Sequence, residues 1–215
     1  MNDLLHDVRS PGWVADADLG VAVLLHGFGS NERDLTGLVA PLGLTLPWVS
    51  LRAPIELGNG GAAWFTITTP GNPEPQPVMD ATDEIWRWID AEVDPAVPIV
   101  PIGFSQGGLM ATQLLRTRPD RVPAAVVLGG FVLGAPQVGD GDIAVRRPPL
   151  FWGRGAEDHV IAASAVARTS SFLPRHTALV ERVYAGLGHG INGAEIDDIR
   201  DFLTVNVRVG AVTPR

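Results

Sequence analysis

Short runs of consecutive apolar residues, rich in valine, isoleucine and leucine, recur at residues 19–25, 48–51, 97–104, 124–128, 150–152 and 180–184. Several are continuous rather than alternating, which predicts strands covered on both faces. Between them the apolar spacing changes to that of helices. Ile85, Trp88, Ile89 and Val93 make one stripe, with Asp83, Glu84, Arg87 and Asp90 elsewhere on the same surface. Ile196, Ile199 and Leu203 make another, and residues 109–116 form a third helix-like run. Strands alternating with helices imply right-handed crossovers and a mostly parallel sheet with helices on both faces, the three-layer α/β architecture.

The 215 residues suit one domain spanning 1–215, with 1–10 and 210–215 reading as flexible termini. There is no internal repeat. The one irregular stretch, 56–77, is rich in Gly, Pro and Asn and too long for an idle connector, so it is a candidate lid or pocket wall.

Composition removes several kinds of chemistry. There is no cysteine, hence no thiolate nucleophile, disulfide or cysteine-based metal site. The 16 Lys and Arg against 24 Asp and Glu leave a net charge of −8 with no basic block, so nucleic acid is not an expected partner. The longest uncharged apolar run, between Pro123 and Pro136, is well short of the about 20 residues that cross a bilayer, and a buried strand explains it; no integral membrane association is expected. Residues 1–10 lack the apolar core of a secretory signal, which suggests a cytoplasmic protein. An exposed apolar sheet edge would suit a homodimer.

The chemistry therefore falls to an oxygen nucleophile. Gly103-Phe104-Ser105-Gln106-Gly107 matches G-x-S-x-G, and it lies between a predicted strand and a predicted helix, the context in which that motif forms a sharp turn presenting the serine. Glycines on either side remove the Cβ atoms that would clash there. The Gln106 N–H, at the helix start, would face negative charge developing on a substrate oxygen. Pro98 and Pro101 run against this reading, because proline forfeits a ladder donor; Pro101 predicts a gap in the sheet's hydrogen bonding or a bulge.

His189, in the loop Gly186-Leu187-Gly188-His189-Gly190, is the candidate base, since imidazole exchanges protons near neutrality. Asp158, just beyond the strand at 150–152, is the candidate acid that orients it, with Glu157 as adjacent competitor. The order Ser105, Asp158, His189 is that of α/β-hydrolases and of neither chymotrypsin nor subtilisin. A second oxyanion donor is expected from the loop after an early strand, where His26-Gly27-Phe28-Gly29 points to the Phe28 N–H. His26 precedes the serine and reads as a structural support of that loop. His6, His159 and His176 show no metal-ligand spacing, and no phosphate-binding glycine motif is present, so neither metal nor cofactor is expected.

Taken together, Leu24-Leu25-His26-Gly27-Phe28-Gly29, Ala63-Trp64-Phe65, Gly103-Phe104-Ser105-Gln106-Gly107-Gly108, Asp158-His159-Val160-Ile161 and Gly188-His189-Gly190 resemble the phospholipase/carboxylesterase family, which includes the acyl-protein thioesterases. The resemblance runs from about residue 19 to 204. It implies an α/β-hydrolase fold with little or no cap, and a serine hydrolase acting on small-molecule or lipid esters. Ser105, Asp158 and His189 take the triad positions, Phe28 and Gln106 those of the oxyanion hole, and Trp64-Phe65 a loop flanking the acyl pocket. Phe131 is a further candidate for substrate contact, although core packing would equally explain Trp64, Phe65 and Phe131, as it would Trp86 and Trp88. Two departures bear on substrate: Thr66 where the family often has aspartate, and Gly129-Gly130-Phe131 where it often has Ser-Gly.

The expected activity is hydrolysis of small to medium acyl esters through an acyl-enzyme. A lysophospholipid ester or protein thioester fits the same residues, and a hydrolase fold kept as a non-catalytic binding module would predict an intact motif without serine reactivity. A peptidase has less support, since no acidic or basic pocket signature is visible.

Overall fold

The computed structural model describes residues 4–15, 20–58 and 60–207. In chain order the elements are β1 (Asp7–Arg9), β2 (Val21–Leu25), β3 (Trp48–Leu51), β4 (Ile55–Gly58), β5 (Gly61–Ala63), α1 (Pro75–Glu92), β6 (Ile99–Phe104), α2 (Gln106–Thr117), β7 (Ala125–Leu128), α3 (Asp140–Arg146), β8 (Pro149–Gly155), α4 (Ala163–His176), β9 (Ala178–Tyr184) and α5 (Gly193–Asn206). Seven strands form one sheet in the order β1-β3-β2-β6-β7-β8-β9, parallel except for β1. β4 and β5 form a separate hairpin.

The continuous apolar strands are explained by two cores. Val21, Val23 and Leu25 of β2 face one side, with Ile85 and Ile89 of α1, Leu109 and Leu114 of α2, and Leu173 of α4. Ala22 and Leu24 face the other, with Ile199, Phe202 and Leu203 of α5 and with Leu35 and Leu42 from the segment after β2. Each fully buried large side chain contributes roughly 1.5–3 kcal/mol, so alternate residues of one strand stabilise opposite layers. Trp86 and Trp88 are core residues of α1; their ring N–H groups reach Thr117 Oγ1 at 2.8 Å and Asp7 Oδ2 at 3.1 Å.

Residues 4–10 are not a loose terminus. β1 pairs antiparallel with β3, and Arg9 bridges Asp7 and Glu92 at 2.7 and 2.9 Å, which fastens the edge strand to α1. Leu19, expected to open β2, and residues 210–215 lie outside the described residues.

Pro101 sits inside β6, in register with Val23 of β2 and without a bulge there. The N–H groups of Ile99 and Ser105 are directed toward the β7 side, to the carbonyls of Arg121 and Leu128. Strand alternation puts the Pro101 nitrogen on that side too. The β7 ladder begins only at Ile102, opposite Val126, so the missing donor falls where no strand partner has yet begun. Of the two accommodations expected, the chain uses the gap.

Candidate active site

The turn between β6 and α2 holds Ser105 at φ 55°, ψ −114°, a backbone conformation that L-residues seldom adopt and that costs on the order of 1–3 kcal/mol. Packing imposes it. A Cβ on Gly103 would collide with the Gly107 carbonyl, and a Cβ on Gly107 with the carbonyls of Leu25 and His26 at the end of β2. The Ser105 N–H donates to the Leu128 carbonyl at 2.8 Å, tying the turn to β7. The serine thus stands at the carboxyl edge of the parallel strands.

Asp158 follows β8 and His189 follows β9, so both arrive at that same edge. His189 Nε2 lies 2.8 Å from Ser105 Oγ, and His189 Nδ1 lies 2.7 Å from Asp158 Oδ2. The other Asp158 oxygen accepts the N–H groups of Val160 and Ile161 at 2.9 and 3.2 Å. Burial pushes the Asp158 carboxyl up, but the hydrogen bonds from His189, Ile161 and Val160 outweigh it and hold the group below the usual carboxylate range. An anion at Nδ1 keeps the ring proton there and leaves the Nε2 lone pair to face the serine. Glu157, the adjacent competitor, is exposed; its N–H donates to Leu187, which fastens the acid loop to the base loop. The Phe104 ring lies 4.9 Å from the imidazole and limits its rotation.

The loop after β2 is built around His26, which is fully buried. Its Nε2 accepts the Ala53 N–H at 3.1 Å, so Nδ1 carries the proton and donates to the Gly27 carbonyl at 2.8 Å. Burial lowers the pKa of this imidazole, which fits a neutral strut. The Gln106 side chain joins the same assembly, accepting the Trp64 N–H at 2.8 Å and donating to the Phe65 carbonyl at 2.7 Å. The hairpin fixes the loop from outside through Gly29 N–H to the Ala62 carbonyl at 2.9 Å and Ala62 N–H to the Ser30 carbonyl at 2.7 Å. Among the described residues, no protein acceptor takes the Phe28 N–H, and the Gln106 N–H is in the first turn of α2, where helix donors lack intrahelical partners.

Beside Gln106 lies a cavity of about 220 Å³, walled mainly by Phe65, Ile67, Pro70, Gly71, Phe131 and Ile161. The irregular stretch 56–77 divides accordingly: its start is the hairpin, its middle is pocket wall, and its end is the first turn of α1. Trp64 is not on that wall. It is buried beneath the β2 loop, with its ring N–H donated to the His26 carbonyl at 2.9 Å. Ile67 and Gly71 fall within the stretch 56–77 expected to wall a pocket, whereas Ile161 lies outside it, an isolated apolar loop position that carries no periodic signal.

One buried group near the base loop bears on stability. Asn192 caps α5 by accepting the Glu195 N–H at 2.9 Å, and the Glu195 carboxyl is wholly buried with no hydrogen-bond partner for either oxygen. Burial, then the nearby Asp198 carboxylate, push it up to about 7. Asp198 itself accepts the Tyr184 hydroxyl at 2.8 Å. Because the folded state holds this proton more tightly than the unfolded chain, the group's contribution is complete below about pH 4.5 and is lost as pH rises toward 7. At about 1.4 kcal/mol per tenfold change in proton affinity, the loss is roughly 3 kcal/mol. Glu195→Gln should therefore gain stability relative to wild type between pH 4.5 and 7 and hold that gain above 7. Denaturant unfolding of both proteins across this range checks it; a difference that does not vary with pH would contradict the assignment.

A parallel sheet with helices on both faces, a strained serine between strand and helix, and a carboxylate and an imidazole on the loops after β8 and β9 define the α/β-hydrolase fold. The sequence model described as Phospholipase/Carboxylesterase matches residues 14–207, and the chain belongs to that family. It is 25% identical over 220 residues to acyl-protein thioesterase 1 of Cryptococcus neoformans, covering 87% of this chain and 92% of that one. To acyl-protein thioesterase 1 of Saccharomyces cerevisiae it is 26% identical over 160 residues, covering 67% and 70%. The crystal structure of the Bacillus cereus carboxylesterase superposes with a TM-score of 0.78 over 94% of each chain at 22% identity. The protein is accordingly a hydrolase of the esterase and thioesterase type. No helix among the described residues is long and apolar enough to cross a membrane.

Proposed function

We propose that the protein hydrolyses carboxylic esters of small to medium acyl chains through an acyl-enzyme on Ser105. The observation that carries this is the continuous hydrogen-bonded line from Asp158 through His189 to Ser105, set next to an apolar cavity. Ser105 Oγ attacks the acyl carbon as its proton passes to His189 Nε2. The carbonyl oxygen, now anionic, is held by the Phe28 and Gln106 N–H groups, each such donor being worth about 10²–10³ in turnover. Collapse expels the alcohol, which takes the proton from His189. Water then repeats the sequence on the acyl-enzyme and releases the acid. Asp158 stays anionic throughout and steadies the imidazolium.

The cavity supports the chain-length reading. It is apolar and bounded, with Phe65, Ile67, Phe131 and Ile161 on its wall, which suits an acyl chain of limited length. Each methylene buried adds about 0.8 kcal/mol, or about fourfold in kcat/KM, until the space is filled. On p-nitrophenyl esters from acetate to palmitate, kcat/KM should climb to a maximum between butyrate and octanoate and then fall. A maximum at palmitate would contradict the medium-chain reading. It would favour the second reading, an acyl-protein thioesterase, the activity for which the Cryptococcus and Saccharomyces relatives are named.

A further inference from the structure

Helix α4 lies behind the cavity just described, and one of its residues grips two of the cavity's walls. Arg168 Nε donates to the Val132 carbonyl at 2.9 Å, and Arg168 Nη2 donates to the Gly71 carbonyl at 2.7 Å. Gly71 is itself on the wall, and Val132 directly follows the wall residue Phe131, whose ring centre is 5.8 Å from the guanidinium carbon. No carboxylate among the described residues forms an ion pair with Arg168, so the fork is spent on these carbonyls. Thr169 adds a second hold: its hydroxyl accepts the Val132 N–H at 3.0 Å and donates to the Ala165 carbonyl at 2.8 Å. The Gly71 segment has no slack against α4. Gly71 has φ +72°, and a Cβ there would stand 2.7 Å from Ala162 Cβ and 3.0 Å from Ala165 Cβ.

We propose that Arg168 is a positioning residue for substrate selection: by tying the Phe131–Val132 wall to the Gly71 wall, it sets the width of the cavity and hence which acyl groups are accepted. The inference rests on the reading that this cavity takes the acyl chain. Arginine suits the task because its donors form a rigid planar fork that can hold two carbonyls in fixed relation. The single ammonium of lysine could keep one of them in place, and methionine neither.

The test measures kcat and KM for Arg168→Met and Arg168→Lys on the p-nitrophenyl series, alongside thermal unfolding and labelling by a methyl fluorophosphonate. For Arg168→Met, KM for butyrate to octanoate should rise about fivefold to tenfold, as expected from loss of ordering hydrogen bonds, with kcat changed less than about threefold and the chain-length maximum broadened. Arg168→Lys should recover part of the selectivity. Labelling by the small probe, which leaves the cavity empty, should stay within about threefold of wild type. A folded Arg168→Met with the wild-type chain-length profile overturns the proposal. Should Arg168→Met not fold, Gly71→Ala displaces the same wall with Arg168 intact: a broadened profile supports the proposal and an unaltered one overturns it. Failure of the wild type to label would instead sink the serine-hydrolase reading itself.

Discussion

Replacing either Ser105 or His189 by alanine should lower kcat/KM on p-nitrophenyl butyrate by about 10⁴–10⁶-fold, and replacing both should cost little more than replacing one. In the proposed mechanism the two side chains act as a single device. Without the imidazole the hydroxyl stays protonated and is a poor nucleophile; without the hydroxyl the imidazole has nothing to activate. The 2.8 Å separation of His189 Nε2 from Ser105 Oγ is a direct hydrogen bond, so the proton can pass between them without an intervening group. The residual rate should reflect the Phe28 and Gln106 N–H groups and substrate binding alone. Initial rates for the two single variants and the double variant check this. A loss under about tenfold in either single variant, or losses that multiply in the double, would contradict it.

The second large effect should come from one methyl group. Gly107→Ala places a Cβ against the carbonyls of Leu25 and His26, backbone atoms at the end of β2 that cannot swing aside as a long side chain could. Either α2 moves away from β2 or the turn at Ser105 opens. Overpacking of this kind costs about 1–3 kcal/mol or more, and shifting the serine by about 1 Å costs on the order of 10²-fold in rate. The variant should therefore unfold at lower temperature and lose nearly all turnover. Gly37→Ala, where the new methyl meets nothing within 4 Å, is the control and should resemble wild type in both respects. Wild-type stability and activity in Gly107→Ala would show that the turn is not held by close approach.

How much of this was legible beforehand follows from what each element is held by. The strands β2, β3, β6, β7, β8 and β9 announced themselves because both faces are covered, so their residues are apolar in succession. β1 gave no such signal: it is three residues long and is secured by Asp7 and Arg9 reaching α1, a tertiary bond that no local pattern displays. β4 exposes all four of its residues and so has no alternation to read. α4 gives little periodic signal because its inward stripe is Ala165, Thr169 and Leu173, two small or polar residues and one leucine.

The same distinction separates the parts of the site. Ser105 is marked by glycines that the turn requires, and Asp158 and His189 by chain order relative to strands that were themselves readable. The pocket wall is assembled from loops, and its residues become neighbours only through packing. Trp64 illustrates the cost: an aromatic in a suggestive tripeptide reads equally as pocket or support, and its indole is turned under the β2 loop. Glu195 reads as an ordinary acid in the first turn of a helix, and only the close approach of α5 to β8 buries it.

The most direct test of the central claim is intact-protein and peptide mass spectrometry after reaction with a fluorophosphonate, and after acid quench of turnover on p-nitrophenyl butyrate. A single phosphonyl adduct and a transient butyryl adduct, both mapping to Ser105 and both absent from Ser105→Ala, are the predicted result. Hydrolysis that proceeds with no adduct on Ser105, or an adduct on another residue that persists in Ser105→Ala, would contradict it.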